Sequence, residues 1–502
     1  MRVDISHAVT PEWGVPFAAQ ERVLDLPVHA APLPAVAIVP LLQHSGAAAE
    51  PIVAVGDVVH TGQPIGTVPD NALGARVHAP LSGRIVAIEK GPVPGRRDAL
   101  CVHIENDGND TRWQGYTSQP RPVSLSTSAL RHAVIEAGIV GLGGATFPAG
   151  VKLNRGSGVN TLILNAAECE PVINCDDALM RQDSDMMLLG AQIMLRILEA
   201  DECIVALKQG MSRTLEIVTA AIDRLDDDRF RIVLVPSVYP VGGEAQLIQM
   251  LTGDEIPSGG LPWDSGAICQ NVGTAAAIAH FLTLGEPLIS RLVTVCGGGI
   301  SKPGNYVTRI GTPIRDLLTV AGGQPTGAAT VIMGGPMMGI ALDSIDMPVT
   351  KATNCLYVPT DDELTAQPEP VACIRCGDCA TVCPAALTPQ ILLQTLRTND
   401  YDSLQRLGLP DCIECGCCDY VCPSHIPLTR EFIRGKQQLW QIGFEKRRAE
   451  QAAKRVNARE QRLATAERND ADAELHDVSD GDAAKARLDE LLRRVDDENN
   501  AP

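Results

Sequence analysis

The chain is short of aromatic side chains, of positive charge and of long apolar runs. Only 3% of its 502 residues are Phe, Trp or Tyr, so its cores are built mainly from Ala, Val, Leu and Ile. Lys and Arg number 42 against 61 Asp and Glu, a formal net charge of −19. Phosphate binding needs clustered cations, so this balance argues against nucleic acid as a partner class. Broad adhesion to anionic lipid is disfavoured too, although a small basic patch can still dock there. The most apolar candidate span, AGIVGLGGATFPAGV (137–151), is dominated by glycine and broken by Pro148. It is also shorter than the roughly 20 residues a spanning helix needs. The opening MRVDISHAVTPEW lacks the charged-then-apolar layout of a secretory signal. The expectation is a soluble chain whose membrane residence comes through partner proteins.

Cysteine, by contrast, is plentiful. Sixteen cysteines without an export signal point to reduced thiols and metal ligation rather than a disulfide framework. Eight follow one spacing rule. CIRCGDCATVCP starts at Cys373 and CIECGCCDYVCP at Cys412, and the two agree at eight of twelve positions, an internal duplication. Each reads C-x2-C-x2-C-x3-C-P: Cys373, Cys376, Cys379 and Cys383, then Cys412, Cys415, Cys418 and Cys422. Three closely spaced thiolates wrap one corner of a 4Fe-4S cubane, and the fourth ligates the other cluster of the pair. The spacing therefore assigns Cys373, Cys376, Cys379 and Cys422 to one cluster, and Cys412, Cys415, Cys418 and Cys383 to the other. Gly377 and Gly416 free the backbone to fold around inorganic sulfide. A tetrahedral zinc site needs two C-x2-C pairs and leaves the third cysteine of each run unexplained. Cys417 falls off the spacing and reads as a spectator thiol. Cys101, Cys169, Cys175, Cys203, Cys269, Cys296 and Cys355 read as small buried hydrophobes.

At about 150 residues per domain, three or more folded units are expected. Short β-rich runs alternate with Gly, Pro and Asp from 34 to 105. VGDVVHTGQPIG (55–66) and VHAPLSGRIVAIE (77–89) read as strands joined by tight turns. They resemble the two halves of biotinyl and lipoyl carrier domains. The hairpin between them, PDNALGAR, has no lysine to take a cofactor, so the expectation is a structural sandwich without covalent biotin or lipoate. Helical and strand signals then alternate up to 285, with LILNAAE and RIVLVP as buried strands and DMMLLGAQIMLRILEA (185–200) as a helix. RLVTVCGGGISKPGNYVTRIGTPIRDLLTVAGG (291–323) gives strand, turn, strand and short helix, and resembles a β-grasp ligand-binding module. Helices are expected between the two cysteine motifs. The tail from about 445 reads as a solvated helix decaying into disorder.

A glycine loop, GIVGLGGATFPAGVKL (138–153), can present successive backbone N–H groups to phosphate, although glycines also serve ordinary turns. Three further phrases, ILNAAECEPVINCDD, YPVGGEAQLI and ICQNVGTAAAI, follow it in the order found in the flavin- and NADH-binding subunit of complex I, which this stretch resembles. The resemblance implies that Gly141, Gly143, Gly144, Phe147, Lys152, Asn165, Glu168, Glu170, Tyr239, Gly242, Gly243, Glu244, Gln270, Asn271 and Thr274 bind FMN and stack a nicotinamide against it. The family's loop carries arginines where this chain has Val140 and Leu142. Its aspartate is Ala167 here, one glycine is Thr146, and the first glutamate of its Gly-Glu-Glu is Gly243. These departures leave open an alternative, a non-catalytic wiring and docking subunit without a functional NADH site. No residue is assigned a catalytic role.

Sandwich, flavin domain, β-grasp module and two ferredoxin motifs in that order, with QHSGAA, GLGGATFP, AAECEP, GGPMMG and TNCL, closely resemble the RnfC subunit of the Rnf (Rsx) ion-translocating electron transport complex. The resemblance spans roughly 34–435. It implies a multidomain α/β and α+β protein: an N-terminal region with a lipoyl-like β-sandwich (1–120), a Rossmann-like flavin domain (121–285), a β-grasp module (286–345), a linker (346–370), an α-helical dicluster ferredoxin domain (371–436) and a charged tail (437–502). It further implies a peripheral subunit on the cytoplasmic face of a bacterial inner membrane. Such a subunit passes electrons between NADH and integral, flavin-bearing or ferredoxin-type partner subunits, coupled to ion movement.

Overall fold

A computed structural model describes residues 3–17, 26–154, 158–323, 330–364, 368–479 and 481–499. It divides into two compact units, Met1–Phe432 and Ile433–Pro502. Among the described residues no helix is long and apolar enough to cross a membrane.

The sandwich of the first unit consists of two small sheets. Val36–Pro40, Arg96–Asn106, Gly83–Val93 and Val58–Val59 form one; Glu50–Pro51, Pro64–Thr67 and Val77–His78 form the other. Period-two alternation sends Val39, Ile65, Ile85, Val102 and Ile104 inward to a single core.

The next domain is a parallel five-stranded sheet, in the order Ile5–His7, Phe230–Val235, Glu202–Lys208, Thr161–Ala166 and Ala267–Asn271. Its inner strands are near-continuous apolar runs, as expected of a sheet covered on both faces. The long helices Cys175–Leu198 and Val272–Leu284 pack tightly because Gly190 lies against the Ala275 carbonyl, where a Cβ would collide.

The third sheet is mixed and six-stranded, ordered Ile340–Ala341, Ile332–Met333, Cys355–Tyr357, Ser290–Cys296, Gly304–Arg309 and Val28–Ala30. Helix Ile314–Val320 contributes Ile314, Leu317 and Leu318 to the core beneath it.

Two boundaries move. The N-terminal stretch does not belong to the sandwich. Ile5–His7 pairs with Phe230–Val235 of the parallel sheet, and Val28–Ala30 pairs with Gly304–Arg309. The stretch 346–370 is not a linker from its start, because Cys355–Tyr357 pairs with Ser290–Cys296 inside the mixed sheet.

The modules meet on Lys351, which is 1% exposed. Its Nζ donates to the carbonyls of Arg76 (2.9 Å) and Gly138 (2.7 Å), and its backbone N–H donates to Gln43 Oε1 (3.1 Å). Burial pushes this amine down to about 7. Its role is to satisfy buried carbonyls from two other modules.

The cysteine region repeats with an offset of 39 residues. Arg375 and Glu414, Gly377 and Gly416, and Ala386 and His425 share positive φ, and the one-turn helices Asp378–Thr381 and Cys417–Tyr420 correspond. Helices Pro389–Arg397 and Tyr401–Arg406 separate the halves, as expected. The tail departs from expectation: it is helical through Leu428–Ser479 and again at Asp482–Asn499, where the charge run predicts decay into disorder.

Candidate functional site

The duplicated turns close two cavities. One is lined by Cys373, Cys376 and Cys379 of the first motif and by Cys422 of the second. The other is lined by Cys412, Cys415 and Cys418 together with Cys383 of the first. Each lining thus brings together three thiols of one motif and one of the other. Left-handed turns at Gly377 (φ +92°) and Gly416 (φ +78°) let the chain wrap each cavity. Four convergent thiols with apolar walls, among them Ile374, Leu393 and Ile426 in the first cavity, form a donor set suited to a cubane.

The two cavities differ in surroundings. Cys373 and Cys376 are exposed, and Ile374 beside them is 67% exposed. Cys415 and Cys418 are buried. The second cavity is seated on the parallel-sheet domain. The Tyr239 hydroxyl donates to the Cys415 carbonyl (2.7 Å), and Gln246 Nε2 donates to the Pro384 carbonyl (3.2 Å). A strap from the N-terminus joins the contact: Val15 and Tyr239 exchange backbone hydrogen bonds (2.8 and 3.0 Å), while the Gly14 N–H donates to Val382. Phe17 packs edge-on to Tyr420 and tilted against Tyr239. Cys417 is fully buried in this contact, its thiol near the Tyr239 carbonyl (3.8 Å).

The glycine loop and its companions lie at the carboxyl ends of the parallel strands. Gly141 N–H donates to the Phe147 carbonyl, closing the loop, and Leu142 N–H donates to Thr274 Oγ1 (2.9 Å). Gly143 and Gly144 are exposed at its tip, and Phe147 is half-buried. A Cβ on Gly144 would meet nothing, whereas Gly143 faces Asn271. Asn271 caps helix Val272–Leu284 through its Oδ1 and donates Nδ2 to Asp176 (2.6 Å). Lys152 pairs with Glu244 (2.5 Å) and donates to the Cys269 carbonyl. Asn165 Nδ2 donates to the Gly242 carbonyl, and the Gly242 N–H donates to Cys169 Sγ. Gly243 caps helix Glu244–Thr252, and a Cβ there would collide with the Gln246 side chain. Gln270 is 3% exposed, and its Nε2 finds no partner among the described residues. Exposed backbone at the glycine tip, one cation and an orphaned buried amide are donors of the kind an FMN phosphate and isoalloxazine edge require.

Two acids of the predicted set have other employment. Glu168 accepts from the backbone N–H groups of Asp176 (2.9 Å) and Asp177 (3.2 Å), capping helix Cys175–Leu198 from outside the helix. Burial, and then the charge of Asp176, hold its carboxyl up at about 8. Glu170 Oε1 accepts from Met337 (2.7 Å) and Met338 (3.0 Å), and no Cβ fits on Gly335 beside it. The GGPMMG phrase is therefore a clamp that ties the mixed sheet's loop to Glu170.

Sequence reasoning passed over Asp176, Cys169, Gln246 and Arg291. Arg291 is 7% exposed and donates to the carbonyls of Lys351 and Leu142, so a guanidinium stands behind the glycine loop, which itself carries no arginine. The available signal was a lone arginine opening the apolar run RLVTVC.

Four family descriptions match the chain: the RnfC barrel sandwich hybrid domain (14–109), the Nuo51 FMN-binding domain (134–280), the SLBB domain (292–341) and the 4Fe-4S dicluster domain (367–439). FMN and 4Fe-4S clusters are the cofactors of the matched domains. Similar proteins are the RnfC components of ion-translocating oxidoreductase complexes. That of Pseudomonas aeruginosa is 44% identical over 89% of this chain and 58% of its own length. That of Cronobacter sakazakii is 41% identical over 94% and 61%. That of Yersinia pestis bv. Antiqua is 41% identical over 88% and 70%. The chain thus spans about three fifths of the first two relatives. A crystal structure of an NAD+-reducing NiFe hydrogenase in the H2-reduced state aligns with a TM-score of 0.45 at 20% identity, over 65% of each chain. On these relatives, the chain belongs to the RnfC family of ion-translocating oxidoreductase complex subunits.

Proposed function

We propose that the chain is the electron-input subunit of a membrane-bound ion-translocating complex, seated on the cytoplasmic face of a bacterial inner membrane. It passes electrons between NADH and partner subunits through FMN and two 4Fe-4S clusters. Its cysteines act in the crossed sets Cys373, Cys376, Cys379, Cys422 and Cys412, Cys415, Cys418, Cys383. The observation that carries the reading is the seating of the second cavity on the flavin domain through Tyr239, Gln246 and Val15. The first cavity, with exposed Cys373 and Cys376, is the side open to a partner. The order is flavin, inner cluster, outer cluster, partner. Bound FMN supplies two-electron acceptance from NADH, and the clusters supply one-electron steps.

The chain's own residues have distinct parts in this reading. The glycine tip and Lys152 hold phosphate, Gln270 and Asn271 hold the ring edge, and Arg291 fixes the loop from behind through the Leu142 carbonyl. Tyr239 fixes the inner cluster's backbone. The Rossmann-like and β-grasp descriptions and the domain limits, with the N-terminal strands and residues 346–358 reassigned as above, belong to the same reading. Anaerobic reconstitution with iron and flavin analysis, followed by NADH addition, tests it. Stoichiometric FMN and bleaching of the visible spectrum are expected; neither appearing contradicts it. Ala167, Gly243 and the engagement of Glu170 by Met337 and Met338 favour a second reading, a wiring and docking subunit without an NADH site. In that case FMN-free protein would still hold both clusters.

A further inference from the structure

The helix Leu428–Ser479 separates charge by face over residues 440–462 of the second compact unit. Successive helical residues turn by about 100°. Measured from Trp440, the residues Arg447, Arg448, Lys454, Arg455, Arg459 and Arg462 fall in one sector between about −40° and about 100°. Glu445, Glu450 and Glu460 lie outside it, at about 140°, 280° and 200°, and Lys446 joins them at about 240°. All six cations of the sector are exposed. The same face begins with an aromatic pair. Trp440 and Phe444 stack with ring centroids 5.4 Å apart and planes 10° apart, and the Arg448 guanidinium stands 5.7 Å over Phe444. Trp440 is 63% exposed and Phe444 38%.

We infer that this face binds an anionic phospholipid surface. The chain carries a net charge of −19, so an anionic surface repels it in general and attracts it where cations are segregated. Six cations on one side of a helical stretch about 33 Å long present an extended array, the shape that meets a planar bilayer. Arg and Lys reach the headgroups while their methylene stems lie on apolar surface, and a Trp–Phe pair fills the headgroup–acyl boundary. The acids, with Ile442, Val456 and Leu463, occupy the rest of the circumference, so a protein packed there would leave the basic face uncovered. The inference concerns this helix alone and does not depend on the redox reading.

The test uses the full chain, reconstituted anaerobically, in flotation with vesicles. One set contains phosphatidylglycerol with phosphatidylethanolamine, the other phosphatidylcholine alone. Binding to the anionic vesicles is expected to be at least about tenfold tighter and to weaken with salt. The quadruple variant R447Q/R448Q/K454Q/R455Q is expected to lose about tenfold or more of that binding, with iron content and helicity unchanged. Brominated lipid is expected to quench tryptophan fluorescence in the parent chain and not in Trp440→Phe. Equal binding to both vesicle sets, or a quadruple variant that binds like the parent, would overturn the inference. So would capture of the helix by a duplex DNA or a partner protein with no binding to vesicles.

Discussion

The two cysteine motifs agree at eight of twelve residues and repeat the same left-handed turns at Arg375 and Glu414, and at Gly377 and Gly416. Their surroundings are opposite. The cavity built mainly from the first motif opens to solvent at Cys373 and Cys376. The one built mainly from the second has buried Cys415 and Cys418, and its backbone is held to the parallel-sheet domain by Tyr239 and Gln246. The thiol geometry is therefore a local property, repeated by duplication, and in the proposed function the order of transfer would come from what each copy is packed against. A cluster potential depends on exposure and hydrogen bonding, so identical ligands in unlike settings give unlike potentials.

The crossed grouping can be broken most severely at its crossing points. Cys422→Ser should remove the outer cluster although it belongs to the second motif, and Cys383→Ser should remove the inner one. Iron should fall from about eight to about four per chain in each case. Electron paramagnetic resonance of the surviving cluster checks which remains; loss of the cluster nearest in sequence would break the grouping.

Chelation sharpens the difference in exposure. Bleaching by a membrane-impermeant iron chelator under air should be biphasic, the outer cluster going first by about an order of magnitude in rate. A single phase in the parent chain would remove the distinction between the sites.

A smaller effect is expected at the inner contact. Tyr239→Phe leaves the Cys415 carbonyl without its 2.7 Å donor, and should cost about 1–2 kcal/mol in denaturant unfolding. A loss of the same size from Tyr420→Phe, whose ring is 59% exposed on the same contact, would show that burial of the carbonyl is not what matters.

A further effect concerns the flavin-domain side, where Glu168 caps a helix with its carboxyl held up at about 8 against an ordinary 4.5. A carboxyl raised in the folded state stabilises most when protonated in both states. That contribution is complete below about 4.5 and is lost as pH rises towards about 8. The melting temperature should therefore fall by a few degrees between about pH 5 and about pH 8, and Glu168→Gln should flatten the profile. An unchanged profile in the variant would assign the slope to other groups.

Much of this was legible in the sequence where signals are local. The cysteine spacing, the helices between the motifs and the alternating strands of the sandwich needed only neighbours in the chain. Contacts between distant segments were not legible. Ile5–His7 is three residues long and finds its partner at Ile232, so no pattern marks it as a strand of the parallel sheet. Lys351, in a polar TKATN phrase, reads as a surface lysine until Arg76 and Gly138 surround it. Glu168 and Glu170 have the residue type expected of ribose ligands, and only the fold shows that backbone N–H groups already occupy them. In the tail, the charge run suggests a helix fading out, whereas its regular turn is what sorts Arg447 to Arg462 onto one side.

The inner-before-outer order is tested most directly by adding NADH to two single-cluster variants and recording electron paramagnetic resonance, with dithionite as the control reductant. In Cys376→Ser, which keeps the inner cluster, NADH should reduce the remaining cluster as far as dithionite does. In Cys415→Ser, which keeps the outer one, dithionite should reduce the cluster and NADH should leave it oxidised. Reduction of the outer cluster by NADH in the absence of the inner one would contradict the account.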